Sequence, residues 1–569
     1  MQTMKYPFPR RLVPFLLLAI ALVPVAVPYL QPGFQFGDDL HAPYLRVIAL
    51  RQAIADGQIP PRWFAEFDGG YGSPYPTFYA MLFYGVAVAF NVFGLSVGSA
   101  VELTAYAVIV LAALGMFVLV RSLWGEESGV LAAVLYTYAP YHLVDAFVRG
   151  ALSELAALAW FPFLAYATYQ WILCRQTKWL ALSSLSIGGL ILTHNLMPIL
   201  FLPLFFGLLV VLVILGRSPA SPVLPRIRAI VVCCGLGLLT VAYFWLPIAL
   251  ERGLLRLDYF LQYDYRGDFV GRAALFAWSS ASRPYTSIGL VLVISAIIGV
   301  LVVLLPRTQS PHRLLALGSL VAGFFCLFMV NSRSGWIWAR LPLLQFVQFP
   351  WRFLAPASFF LALAAGPLPR AFRSGLAAWG VVIVLGAAIY LQSSPLIRIR
   401  HRIDAVTLQA FRPCEAVSET QDFRPQTSQT LFWRGTSPPA DAGDPLLLIP
   451  CANGISLWPA GEARVLSSTR RGTRWDVRVT VDRRAVVTIP QFYFPGWAAW
   501  MDGEPAAVKP SQGKGLLEVT LPAGEHTLRV DFLETTVRRV GNGMSLVGAA
   551  IILVVFWLGL RGKGAAGPD

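Results

Sequence analysis

The stretch "FYAMLFYGVAVAFNVFGL", Phe78 to Leu95, decides how the whole chain is threaded. It reads either as a membrane span or as a helix lying at the membrane surface, and the choice inverts the sidedness of everything after it. A crossing helix needs about 20 mostly apolar residues. The chain offers roughly a dozen such runs before residue 395 and one more near its C-terminus. With 56% hydrophobic and only 13% charged residues among 569, this is a polytopic α-helical membrane protein.

Arginines settle the sidedness. With 78–95 on the outer surface, about twelve spans follow, at 12–30, 99–120, 128–144, 153–173, 179–197, 198–216, 229–250, 284–305, 314–331, 352–368, 375–391 and 544–560. The short connectors on one side then hold Arg121, Arg175, Lys178, Arg217, Arg226, Arg228, Arg307, Arg313, Arg370 and Arg373, with Arg561 and Lys563 after the last span. Short basic connectors stay cytoplasmic, so the surface helix is preferred and both termini fall inside. The first run follows Lys5, Arg10 and Arg11, but its length and the lack of an A-x-A-like site predict an uncleaved anchor. Positive-inside topology also accounts for the net charge of +15 better than a nucleic-acid partner does.

The resulting organisation is a membrane region, 1–394, with a long outer loop at 31–98, an extracytoplasmic β-rich domain, 395–540, and a final span with a cytoplasmic tail, 541–569. Smaller outer regions fall at 145–152, 251–283 and 332–351. The β-rich prediction rests on alternation of period two in "WDVRVTV" (475–481) and "LLEVTLPAGEHTLRVDF" (516–532), with Pro-Ala-Gly as a turn. A small β-sandwich is the expected form. The stretch 417–445, rich in Ser, Thr, Pro and Asp, reads as a long loop. Cys233, Cys234, Cys326 and Cys174 belong to apolar runs, whereas Cys414 and Cys451 suit a disulfide if their segment is exported.

Ionisable groups at membrane depth are costly and are functional candidates by default. Asp38 and Asp39 open the long outer loop in "GDDLHAPYLR", with His41 and Arg46 close behind. His142, Asp145, Arg149 and Glu154 cluster at the second outer bend, where the plainest reading is an Asp145–Arg149 pair on one helix face. A guanidinium fork there also matches phosphate oxygens. His194 sits at the end of a span in "LTHNLMPIL", and Arg352 follows Pro350 and Trp351 at the start of another. All these groups fall on the outer side, although the topology was chosen from the inner connectors alone.

An N-terminal span, the acidic loop starting "GDDLH", a surface helix after "GYGSPYP" and many spans ending in an exported domain resemble the GT-C superfamily of membrane glycosyltransferases. The stretches "FVRGALSELAALAWFPFL", "THNLMPIL", "FPWRFL" and "YFPGWAAWMDGEP" resemble bacterial membrane proteins labelled as carrying a 6-pyruvoyl-tetrahydropterin synthase-related domain. The histidine cluster of pterin synthases has no counterpart among the six scattered histidines. The GT-C resemblance implies transfer of a sugar from a polyprenyl-phosphate carrier to a glycan or protein acceptor outside the bacterial cytoplasmic membrane. It places the acceptor-activating aspartate at Asp38 or Asp39 and leaves a divalent metal, magnesium or manganese, open, since Asp145 and Glu154 match the second-loop position without a tight acidic pair. Arg149 and Arg352, with His194 and Arg46 behind them, are the expected phosphate-binding groups. A lipid-linked saccharide transporter and a non-catalytic envelope scaffold are the alternatives.

Overall fold

The computed structural model describes residues 12–36, 38–39, 42–216, 222–255, 263–278, 286–306, 310–398, 401–403, 458–460, 463–513 and 515–561. His41, Cys414, Cys451 and the 417–445 loop lie outside the described residues. Among those described, eight helices are long and apolar enough to cross a membrane.

Within the ambiguous segment the structure forms a short helix, α3. In chain order, α1 is Val13–Ala26, α2 Ala42–Ala55 and α3 Leu82–Val92. Eleven residues at ~1.5 Å each give α3 about 16 Å, roughly half of a bilayer's apolar core. Alone it cannot cross.

Next come α4 (Val97–Trp124), α5 (Glu126–Thr137), α6 (Leu152–Cys174), α7 (Thr177–Thr193) and α8 (Met197–Leu215). They are followed by α9 (Val223–Thr240), α10 (Ala242–Glu251), α11 (Leu290–Leu304), α12 (Arg313–Val330), α13 (Leu354–Ala365), α14 (Gly375–Ser393) and α15 (Thr536–Arg561).

Two expected spans are interrupted. The run 128–144 ends as an α-helix at Thr137 and restarts at Pro140, whose ring lacks the N–H that a continuing helix would need. The run 229–250 breaks at Val241, where φ −118° and ψ 21° separate α9 from α10.

The C-terminal strands form two antiparallel sheets, and the predicted alternation is visible in their burial. Trp475, Val477, Val479 and Val481 of β5 (Arg474–Val481) point inward, with Asp476, Arg478 and Thr480 between them. One sheet orders β4 (Ala463–Arg471), β5, β11 (Gly524–Phe532), β7 (Trp497–Met501) and β8 (Glu504–Ala506). The other orders β3 (Trp458–Ala460), β6 (Ala485–Phe492), β10 (Leu516–Leu521) and β9 (Val508–Pro510). A further pair, β1 (Phe34–Phe36) with β2 (His401–Ile403), ties the first outer loop to the segment entering this domain.

The long outer loop is the seat of the sheet domain. Trp63, fully buried, enters the core of that domain with Trp497 edge-on at 5.4 Å and Phe532 at 5.1 Å. Its indole N–H donates to Gln491 Oε1 at 3.0 Å. Gly72 lies so close that a Cβ there would meet Trp63 Nε1 at 2.3 Å.

Polar contacts complete the joint. Arg62 donates from Nε to Glu534 at 3.0 Å, from Nη1 to the Tyr243 carbonyl at 3.0 Å and from Nη2 to Asn542 at 2.7 Å. Arg538 Nε donates to Glu251 Oε2 at 3.0 Å, and Thr535 donates to the other Glu251 oxygen at 2.6 Å. Loop, α10 and the start of α15 are thereby fastened together.

Candidate functional site

The helix that restarts at Pro140 stays α-helical only to Leu143. Residues Val144–Arg149 form one wide π-turn, which ends at Gly150 with φ 68°. Such turns widen the backbone ring and commonly occur at functional positions. A glycine is needed here because the left-handed conformation is strained for other residues. The carbonyls at the end of this turn need donors. The amide of Asp39 takes that of Arg149 at 2.8 Å, and the amide of Asp38 takes that of Val148 at 3.3 Å. These backbone bonds set the two aspartates directly beside Arg149. Asp38 is exposed and Asp39 half-buried.

Glu154, in the first turn of α6 and 1% exposed, is the hub. Arg149 Nη1 lies 3.1 Å from its Oε2 and 2.5 Å from Asp145 Oδ1. Arg352 Nε lies 3.5 Å from the same Glu154 oxygen, and His194 Nε2 lies 3.8 Å away. Tyr141 donates its hydroxyl to Oε1. Three segments, the bend Tyr141–Glu154, His194 and Arg352, thus meet on one carboxylate.

Each partner is held by its own local structure. His194 follows the last residue of α7, and its Nδ1 accepts the amides of Leu196 at 3.1 Å and Met197 at 3.2 Å, capping α8. Those bonds leave the ring proton on Nε2, facing Glu154. Asn195 pins the chain ahead of α3, accepting from the Ala80 amide at 2.9 Å and donating to the Phe78 carbonyl at 2.7 Å. Arg352 donates from Nη1 to the Val347 carbonyl at 2.7 Å and lies over the Phe349 ring at 4.9 Å. The Trp351 ring supports both guanidiniums, Arg149 at 4.6 Å and Arg352 at 5.9 Å.

Arg46 stands one layer away. It reaches the hydroxyls of Tyr84 at 2.8 Å and Tyr79 at 3.5 Å, and Tyr79 continues to Ser153 Oγ at 3.2 Å. The structure therefore brings Asp38, Asp39, Asp145, Arg149, Glu154, His194 and Arg352 together and joins Arg46 to them through Tyr79. His142 turns away, its Nδ1 bonded to the Tyr136 carbonyl at 2.6 Å. The sequence reading missed Tyr141 and the stacking role of Trp351. An aromatic next to a charged residue at a span's start was the available signal, but interfacial anchoring explains such aromatics equally well.

Two features bear on ligands. Of the guanidinium nitrogens of Arg149 and Arg352, only Nη1 of each makes a hydrogen bond among the described residues, and Arg352 Nε and Asp145 Oδ2 are buried with no hydrogen-bond partner. Guanidinium donors are thus left over for an anion. A divalent metal fits poorly. Asp145 and Glu154 are both engaged by Arg149, and among the described residues no group of three or more His, Cys, Asp or Glu side chains stands together as a ligand set.

No protein-family profile matches the chain and no curated protein sequence does, so the pterin-synthase-related label finds no match in either comparison. Solved structures give loose likenesses. The arabinofuranosyltransferase AftD from Mycobacteria (mutant R1389S) aligns with TM-score 0.42 and 17% identity, over 69% of this chain and 28% of that one. The Archaeoglobus fulgidus oligosaccharyltransferase aligns at 0.42 and 15%, over 70% and 57%. ArnT from Cupriavidus metallidurans, bound to undecaprenyl phosphate, aligns at 0.41 and 17%, over 67% and 64%. The chain spans from about a quarter to two-thirds of the length of these proteins.

Proposed function

We propose that the protein is a membrane glycosyltransferase of GT-C type, moving a sugar from a polyprenyl-phosphate carrier to an acceptor outside the cytoplasmic membrane. The observation that carries this reading is the pair Arg149 and Arg352, drawn from distant segments, stacked on one indole and left with unused donors directly beside an aspartate pair. A phosphate suits the first half of that arrangement, because guanidinium forks match its oxygens. A hydroxyl nucleophile suits the second.

In the proposed step the acceptor oxygen attacks the anomeric carbon while its proton passes to the carboxylate of Asp38 or Asp39. The bond from that carbon to the phosphate oxygen breaks, and the departing lipid phosphate keeps the electron pair. Arg149 and Arg352 offset the charge that grows there, with the His194 Nε2–H as a third donor. Glu154 holds both guanidiniums in place before the phosphate arrives. In this reading the site faces outward and both termini are cytoplasmic, which the basic short connectors support.

The test is transfer of radiolabelled sugar from a panel of polyprenyl-phosphate sugars by purified protein. Asp38→Asn with Asp39→Asn is expected to lower the rate roughly 10²- to 10⁴-fold, the usual contribution of a general base. Unchanged transfer by the folded double variant would sink the assignment of the base. Absence of any turnover and of any donor binding by the wild type would sink the enzyme reading.

A further inference from the structure

A cavity of about 810 Å³ opens where the C-terminal end of α2, the loop Gln58–Glu66 and the turn between β4 and β5 meet. Its walls carry Gln52, Asp56, Glu66, Ser468, Arg470 and Arg471. Two carboxylates, two guanidiniums, an amide and a hydroxyl line it together. A strongly charged ligand would meet like charge somewhere in such a cavity. A ligand covered in hydroxyls would not, since each hydroxyl both donates to a carboxylate and accepts from a guanidinium.

The walls are fixed by contacts of their own. Arg470 lies 5.1 Å over the Trp475 ring and donates to the carbonyls of Gly472, at 3.3 Å, and Ala65, bridging the hairpin to the loop. Gln52 holds Asp56 at 2.9 Å. The hairpin tip closes on α2 at Gly472, where φ is +57° and a Cβ would come within 2.6 Å of Asp56. The side chains of Glu66 and Arg471 make no hydrogen bond or ion pair among the described residues. Rigid walls with polar groups still available describe a binding site better than a structural joint.

We propose that this cavity binds a neutral oligosaccharide, the body of an acceptor glycan whose growing end lies at Asp38 and Asp39. The word "acceptor" rests on the glycosyltransferase reading; binding itself does not. The 14 residues of α2 span about 21 Å between the two places, a length suited to an extended chain of several sugars.

The test uses full-length protein in micelles of a sugar-free detergent. Saturation-transfer NMR and calorimetry would be run with maltohexaose, chitohexaose and mannohexaose, and with a ten-residue Gly/Ser peptide. At least one hexasaccharide is expected to bind. Glu66→Gln and Arg471→Ala, exposed positions that folding tolerates, are each expected to weaken it roughly tenfold. Arg478→Ala, on another exposed position of β5, should leave it unchanged. No hexasaccharide binding, equal binding by all variants, or binding of the peptide alone would overturn the proposal. Sugar transfer measured separately to a short soluble acceptor tells its failure from failure of the glycosyltransferase reading.

Discussion

Two buried arginine–glutamate clusters stand at the ends of membrane helices, and they are built differently. At the joint between α10, α15 and the outer loop, every donor of Arg62 named above has its own acceptor, and Glu251 receives one bond on each oxygen. The Arg538 fork lies between the faces of Phe494 at 5.3 Å and Phe532 at 5.1 Å. At Glu154, three potential donors crowd one oxygen at 3.1, 3.5 and 3.8 Å, while a buried Arg352 nitrogen and a buried Asp145 oxygen make no hydrogen bond. Both clusters leave buried groups unmatched, since Arg538 Nη1, Arg538 Nη2 and Glu534 Oε2 also lack a hydrogen-bond partner, at about 1–3 kcal/mol each. What separates them is access: the Arg538 side chain is 0% exposed, whereas those of Arg149 and Arg352 keep 8% and 11%, so we read the first cluster as a fastener and the second as open to a ligand.

The largest expected effect separates the two by activity. Arg149→Lys keeps the charge but gives up the fork and its stacking on Trp351. Transfer is expected to fall about 10²- to 10³-fold, in line with loss of one preorganised donor to a developing anion. Thermal unfolding should shift little, because the ammonium still meets Glu154. A variant with wild-type turnover would make the Glu154 cluster a second fastener and erase the contrast.

The joint predicts the reverse. Glu251→Ala leaves Arg538 buried, at 0% exposure, without its carboxylate, which is expected to cost about 3 kcal/mol of stability. Activity per folded molecule should stay at the wild-type level. Thermal unfolding alongside a transfer assay on the surviving fraction reads both quantities. Loss of turnover in protein that remains folded would show that the joint communicates with the site.

Much of this was legible in the sequence, and the limits have physical causes. Apolar runs located the helices because hydrophobic length is a one-dimensional property, and α7 and α8 meet at His194 within a few residues of the expected boundary. The alternation in "WDVRVTV" survives residue by residue in β5. The candidate residues were found because charge in an apolar context is conspicuous. What joins them was not. Nothing local says that Val144–Arg149 forms a π-turn, or that the amide of Asp39 bonds back to Arg149 across more than a hundred residues. Glu154 was one candidate among several because its centrality depends on two distant donors, His194 and Arg352. Trp63 resembles any loop tryptophan until the sheet domain that buries it is in place.

The hydrogen-bonded surface pair Asp502–His526, with the Asp502 side chain 48% exposed, supplies the baseline against which both buried clusters are measured. Asp502 Oδ2 lies 2.6 Å from His526 Nδ1, and Oδ1 accepts the Thr527 amide at 2.8 Å, closing the β7–β8 turn onto β11. The hydrogen bond from His526, followed by that from the Thr527 amide, holds the Asp502 carboxyl below its ordinary value. A carboxyl lowered in the folded state stabilises the fold above its unfolded value of about 3.9. That contribution fades as pH falls through the lower folded value. Asp502→Asn should therefore raise hydrogen exchange of the β7–β8 turn slightly at pH 7, and the difference from wild type should shrink toward pH 3. The effect should be the smallest of the three and the only one reduced by salt, because solvent and ions screen an exposed pair and not a buried one. Equal salt sensitivity at Glu251 would mean that water reaches the joint, and the fastener would then differ from a surface pair in geometry alone.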